Sequence, residues 1–298
     1  MTTPPELARL ACPRPGLRFA LAASLAIVSL LLNACSFYAV RSGKSSYRPP
    51  DKLVVGAGSG ERSLVVVLIP GSMIVADFFA ELRDRLEREG FRPVVFQPPD
   101  LFTDSLEVGA QRIGAAIEAV RRTAGVDRVV ILAECNGGVA ARYYVERQGG
   151  NQFVARLVTF VSAHHGTEAV GVRWYPALAD IKPGSAFLAE LAGDWPAALD
   201  TTLVSIYFCD DEIMKPATTS RIPGAVNVEI CDPEIRKRAK ERPRQEVDHF
   251  LGAMLLRLYP VHFAGFWDDS LFRLFVSCLR DEPKAIRELD LVRATFPQ

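Results

Sequence analysis

The sequence carries no excess of charge of either sign: 35 Lys and Arg residues stand against 35 Asp and Glu in 298 residues. A zero balance excludes the basic footprint by which a polyanion is usually bound, so no nucleic-acid partner is expected. No Cys/His pattern stands at a metal-ligand spacing, and no metal and no cofactor is expected. Internal repeats and low-complexity blocks are absent. Histidine is scarce, with only His164, His165, His249 and His262 in the chain, so a general base has few candidates. Apolar residues, in contrast, make up 49% of the chain, enough to fill the core of one large α/β domain.

Arg14 and Arg18 precede an apolar run from Phe19 to Leu32. The run is too short for a comfortable membrane span and suits the apolar region of an export signal. It ends in Leu32-Asn33-Ala34-Cys35, which resembles a bacterial lipobox, with Asn33 an untidy fit. That resemblance implies cleavage before Cys35, lipidation of Cys35 and attachment to a membrane on the periplasmic side of a bacterial envelope, with Ser36 favouring the outer membrane. The alternative is an uncleaved N-terminal anchor. The expected organisation is a signal over 1–34, a linker over 35–52 and a folded domain over 53–298, with a cap inserted at about 166–200.

From Leu64 onward, apolar β-branched runs alternate with segments of helical period. Leu64 to Ile69, Pro93 to Phe96, Val129 to Leu132 and Val154 to Val161 read as strands, with helices over Ala76 to Glu89 and Ser105 to Thr123. Repeated units of this kind predict a mostly parallel sheet with helices on both faces. The stretch Val129 to Arg142 is the most informative. Its strand turns into a helix-compatible segment within a few residues, with Cys135 at the apex between Ala133 and Gly137. Small residues two before and two after an apex let the strand and helix backbones pass, which is the logic of the Gly-x-Ser-x-Gly nucleophile turn. A helix N-terminus at the apex favours a thiolate or an oxyanion. The other readings are a small buried core cysteine or a dinucleotide turn, but this turn lacks Gly-x-Gly-x-x-Gly.

Five fragments in order resemble the α/β-hydrolase superfamily of the lipase and esterase kind, over roughly Leu64 to Leu258. Leu68-Ile69-Pro70-Gly71-Ser72 resembles the family's strand ending in His-Gly, with Pro70 in place of His. Leu132 to Gly138, followed by Ala141-Arg142-Tyr143-Tyr144, resembles the Gly-His-Ser-x-Gly-Gly turn, with Cys135 in place of Ser. Arg156 to Thr159 leading into His164-His165-Gly166-Thr167 is similar to the segment after the next strand. Ser205-Ile206-Tyr207 with Asp211 resembles the acid-bearing strand and loop, and Val247-Asp248-His249 the histidine-bearing turn. The resemblance implies an α/β-hydrolase fold with a helical cap. It also implies a triad of Cys135 as nucleophile, His249 as base and Asp211 as its orienting acid, preferred to Asp210. The backbone N–H groups of Ser72 and Asn136 would receive the oxyanion. His262 is the reserve base, and His164 and His165 are structural.

Cysteine at this position implies a thioester acyl-enzyme, formed from an ester or thioester with an apolar acyl part. The expected function is an exported acyl hydrolase; the alternatives are an acyltransferase of the same fold and a non-catalytic lipoprotein that binds a lipid or a partner. Glu134, beside the nucleophile, either forms a structural ion pair with Arg142 or another base, or sits by the thiol and raises its pKa. Trp174, Tyr175, Phe187 and Trp195 in the cap either meet an apolar substrate or make the cap's own small core. Cys209 and Cys231 end neighbouring strands and are either bridged or two buried thiols.

Overall fold

Short runs of Val, Ile and Leu with no polar face become strands only where both faces are covered, and the central strands here meet that condition. The computed structural model describes residues 63–169, 175–241, 258–288 and 292–295. The signal, Cys35, the linker, Trp174 and His249 lie outside the described residues. Strands β1 (Val65–Ile69), β2 (Arg92–Val95), β3 (Val129–Glu134), β4 (Val154–Phe160), β5 (Thr202–Phe208), β6 (Val226–Ile230) and β7 (Val292–Thr295) form one sheet in the order β2-β1-β3-β4-β5-β6-β7. All neighbours pair in parallel except β6 and β7.

The period of two along each strand divides the core into two layers. Val66, Leu68, Val130 and Leu132 point to one face, where helices α1 (Ala80–Arg88) and α7 (Asp269–Arg280) bury Leu82, Leu86, Leu271 and Phe275. Val65, Val67, Val129 and Ile131 point to the other, against α2 (Leu106–Ala124) and α3 (Cys135–Arg147). Helix α2 is bounded by local chemistry. The Ser105 hydroxyl accepts from Val108 N–H at 3.3 Å, and Gly125 closes the helix at φ 66°. Between β4 and β5 the chain leaves the sheet to form the short helices α4 (Pro176–Asp180) and α5 (Ala186–Glu190). Helices α6 (Pro233–Glu241) and α8 (Pro283–Glu288) complete the described helices longer than one turn.

The chain moves outward from β1 to β2 and then returns to the other side of β1 for β3. Where the strand order reverses in this way, the loops after the two strands diverge and leave a crevice at their carboxyl ends. The Gly71-Ser72 loop and Cys135 stand at this point. Helix α3 passes beneath that loop so closely that a methyl group on Gly137 would overlap the Pro70 carbonyl oxygen. Gly137→Ala is therefore expected to destabilise the fold by about 1–3 kcal/mol despite its gain in helix propensity. Gly193→Ala, where an added methyl meets nothing within 4 Å, should leave the melting midpoint nearly unchanged. Equal midpoints for both variants in thermal denaturation would refute the close approach.

Candidate active site

Cys135 is the first residue of α3 and has φ 51°, a left-handed conformation that a residue with a side chain adopts only when its surroundings impose it. The sharp bend lifts its half-buried thiol out of the end of the sheet. The loop after β1 closes against it, and a Cβ added at Gly71 would lie 2.7 Å from Cys135 Cβ. The backbone N–H of Asn136 hydrogen-bonds the thiol and favours its ionised form. Asn136 Nδ2 donates to Ser72 Oγ at 2.8 Å, and that hydroxyl donates to the Phe102 carbonyl at 2.7 Å. The two residues expected to supply oxyanion donors are thus tied to each other at the crevice. Burial pushes the phenol of Tyr175, in the cap, up to about 12, against the lowering influence of Ser72.

His262 stands beside the thiol. Its Nδ1 lies 2.9 Å from Asp211 Oδ2 and 3.1 Å from Oδ1, and the ring lies within 4.8 Å of the Cys135 sulfur. The imidazole is 1% exposed and Asp211 is fully buried, so each ring nitrogen has a protein partner. Asp211 is itself held by the N–H groups of Ile213 and Met214, at 2.6 and 2.8 Å on Oδ1. Asp210 instead points outward to Arg236. The seat beside Asp211 that the family resemblance assigned to His249 is filled by His262, the reserve candidate. The loop carrying His262 is fixed by Glu212, whose carboxylate oxygens accept the N–H groups of Val261 and His262 at 3.2 and 3.0 Å. No sequence motif marks Glu212 for that task; its position one residue after Asp211 is the only signal. His164 bonds Thr159 and His165 bonds the Arg221 carbonyl, so both tie down the loop after β4.

Glu134 belongs to this cluster. One of its oxygens accepts from Gly71 N–H at 2.7 Å and the other lies 3.3 Å from His262 Nε2. An apolar cavity lined by Phe79, Leu82, Phe160 and Phe266 backs the carboxylate. Of the two readings of Glu134, the place beside the thiol is the one found; the ion pair with Arg142 does not form, because the two side chains project to opposite sides of the sheet. Arg142, fully buried on α3, pairs with Glu146 at 2.6 Å and donates to the Ala192 carbonyl. Phe187 stacks on Tyr143 with ring centroids 4.8 Å apart, and Trp195 Nε1 donates to the Thr201 carbonyl at 3.0 Å. These two cap aromatics therefore pack into the main core on the α3 side of the sheet rather than forming a separate core within the cap. Cys209 and Cys231 are joined in a disulfide, Cα to Cα 5.4 Å, between the ends of β5 and β6.

Burial raises the Cys135 thiol pKa and the Glu134 charge raises it further, outweighing the opposing pull of His262 and of Asn136 N–H. Burial disfavours the charged form of His262, yet the charge and hydrogen bond of Asp211, with bonds to Cys135 and Glu134, hold its pKa well above the usual range. Burial also acts to raise Asp211, but His262 and the two backbone donors keep it below the ordinary carboxyl value. Glu134 thus disfavours proton loss from both the thiol and the imidazole. Glu134→Gln should move the pH at which Cys135 becomes reactive downward, and each unit of displacement raises the ionised fraction below that pH about tenfold. The rate of iodoacetamide addition to Cys135 against pH, followed by intact mass, checks this; an unchanged or upward limb would refute it.

A thiol at a strained turn, an imidazole within reach and a carboxylate on the far ring nitrogen can together perform nucleophilic and general acid-base chemistry. No protein-family model matches the chain, and no curated protein matches it. Among solved structures, Aspergillus fumigatus lipase B is similar in fold, with a TM-score of 0.55 and 16% identity over 73% of this chain and 52% of that one. The match spans about half of that lipase. The metagenomic carboxyl esterase MGS0156 has a TM-score of 0.49 and 15% identity over 74% of this chain and 78% of its own. The propeptide form of Bacillus licheniformis lipase BlEst2 has 0.49 and 13% over 59% and 47%. The chain has the α/β-hydrolase fold.

Proposed function

We propose that the protein is an acyl hydrolase of the lipase and esterase kind, acting on an ester or thioester through Cys135, His262 and Asp211. The observation that carries this reading is the His262 ring, anchored through Nδ1 to a buried carboxylate and within 4.8 Å of the sulfur of a cysteine at positive φ. In the first half-reaction, which needs the neutral ring and so a pH high enough to deprotonate the His262 imidazolium, Cys135 Sγ attacks the acyl carbonyl carbon and its proton passes to His262 Nε2. The backbone N–H groups of Ser72 and Asn136 receive the oxyanion. Collapse expels the alcohol or thiol, which takes the proton from His262, and leaves a thioester on Cys135. In the second half-reaction His262 deprotonates a water that attacks the thioester, releasing the acid and the free thiol. Asp211 holds the ring in the tautomer with Nε2 free and offsets the charge that forms on it. The lipase and esterase names of the structural neighbours agree with this substrate class. The N-terminal sequence adds the proposal that the enzyme is exported and held at a membrane through Cys35, where an ester with an apolar acyl part would be met.

Incubation of the detergent-solubilised full chain with short and long p-nitrophenyl esters, with intact mass read during turnover, tests the reading. An acyl mass on Cys135 that forms and decays in water, and is missing from Cys135→Ala, is the expected result. Decay only on adding an alcohol or thiol acceptor would turn the assignment to acyl transfer. A folded protein with no adduct, or with equal ester cleavage in the variant, would refute it in favour of a binding role.

A further inference from the structure

The cluster at the head of α3 holds more negative charge than one acyl-transfer base requires. Two buried carboxylates, Glu134 and Asp211, flank the same imidazole from opposite sides. Among the described residues, neither forms an ion pair with a lysine or arginine. Three different donor types converge on the Nε2 side of the ring: a thiol sulfur, an imidazole nitrogen and a carboxylate oxygen, all within 4.8 Å of one another. Cys135 and Glu134 are adjacent in the chain while His262 comes from a distant loop, so no sequence spacing displays the set.

We infer that Cys135 Sγ, His262 Nε2 and a Glu134 carboxylate oxygen form a binding site for one zinc-like divalent cation, and that the bound ion blocks the nucleophile. The nitrogen-to-oxygen distance fits a tetrahedral ion. With bonds of about 2.0–2.2 Å to nitrogen and oxygen, the edge between those two ligands is about 3.3 Å, and His262 Nε2 lies 3.3 Å from Glu134 Oε1. The Cys135 sulfur, within 4.8 Å of both other ligand atoms, would supply the third corner, and water the fourth. The supporting shell is also present. Asp211 accepts from Nδ1 and so frees the Nε2 lone pair for a metal, while Gly71 N–H holds the second oxygen of Glu134. A ligating histidine backed by a carboxylate, and a ligating carboxylate that is itself hydrogen-bonded, are the usual second partners of such ions. A thiolate and a carboxylate together neutralise a divalent charge, and the mixed S, N, O set suits zinc or cobalt better than magnesium or calcium.

On binding, the thiol proton is released to solvent and sulfur forms the metal bond; a proton on Nε2, if present, is released as well. Affinity therefore rises with pH. With the sulfur lone pair and Nε2 both committed, neither can attack or accept a proton, so the ion acts as a reversible inhibitor. The inhibition rests on the acyl-transfer reading; the binding does not.

Titration of the full chain, chelator-treated and reduced only as far as keeps Cys135 a thiol, with Co²⁺ separates the two. The expected result is saturation at one ion per chain, with the visible bands of tetrahedral cobalt, a near-ultraviolet sulfur-to-cobalt band and displacement by Zn²⁺. Glu134→Gln should weaken binding at least tenfold, and Cys135→Ala should abolish the sulfur band. Wild-type protein alkylated at Cys135 should behave like that variant and guards against a folding defect. Absence of tetrahedral cobalt up to millimolar metal, or equal affinity in wild type, Glu134→Gln and the alkylated protein, would overturn the site. Cobalt binding without esterase activity would leave the metal site standing and remove the enzymatic reading.

Discussion

His262→Ala is expected to lower kcat/KM for a p-nitrophenyl ester by about 10²–10⁴-fold, the range for loss of a positioned general base. His249→Ala is expected to leave the chemistry intact. The reason lies in the acid rather than in either histidine. Both oxygens of Asp211 lie against Nδ1 of His262, and Oδ1 also accepts the N–H groups of Ile213 and Met214. A carboxylate so occupied cannot orient a second imidazole. The reverse outcome, loss with His249→Ala and retention with His262→Ala, would make the buried Asp211-His262 pair structural and return the role of base to His249. Melting curves for both variants separate a catalytic loss from unfolding.

Asp211→Asn should cost up to about 10⁴-fold in kcat, the scale seen when a triad acid becomes its amide. The amide oxygen can still accept from the Ile213 and Met214 N–H groups, so the loop keeps its shape. The NH₂ then faces His262 Nδ1 and forces that nitrogen to accept, which places the ring proton on Nε2. A ring protonated there cannot take the thiol proton. Removal of the negative charge also withdraws the largest influence that holds the imidazole above its ordinary pKa. In the histidine ring spectrum, the His262 titration should move to lower pH in the variant. A variant with near wild-type kcat, or an unmoved titration, would show that Asp211 does not set the tautomer.

The strands β1 and β3, the capped helix α2 and the tight turn at Cys135 were legible because each is written in adjacent residues. Apolar β-branched runs, the helical spacing of apolar residues after Ser105, and the small residues around the apex all act over a short length of chain. Other features did not show in this way. The four residues of β7, Val-Arg-Ala-Thr, alternate apolar and polar over too short a stretch to mark a strand by themselves, and they become one by pairing antiparallel with β6. Phe187 and Trp195 read equally well as substrate contacts or as packing until Tyr143 and the Thr201 carbonyl are seen against them. Glu134 offered two partners by its charge alone, and the face of β3 on which it falls decided against Arg142.

Local order thus gave the fold class and a nucleophile candidate from sequence alone, because a strand, a sharp turn and a helix in succession leave little freedom in where Cys135 can point. The choice of His262 beside Asp211, and the convergence of Glu134 on the same ring, belong to the tertiary structure. Those contacts join residues from loops far apart in the chain, and only the closing of the sheet and the hold of Glu212 on the His262 backbone bring them within hydrogen-bond distance.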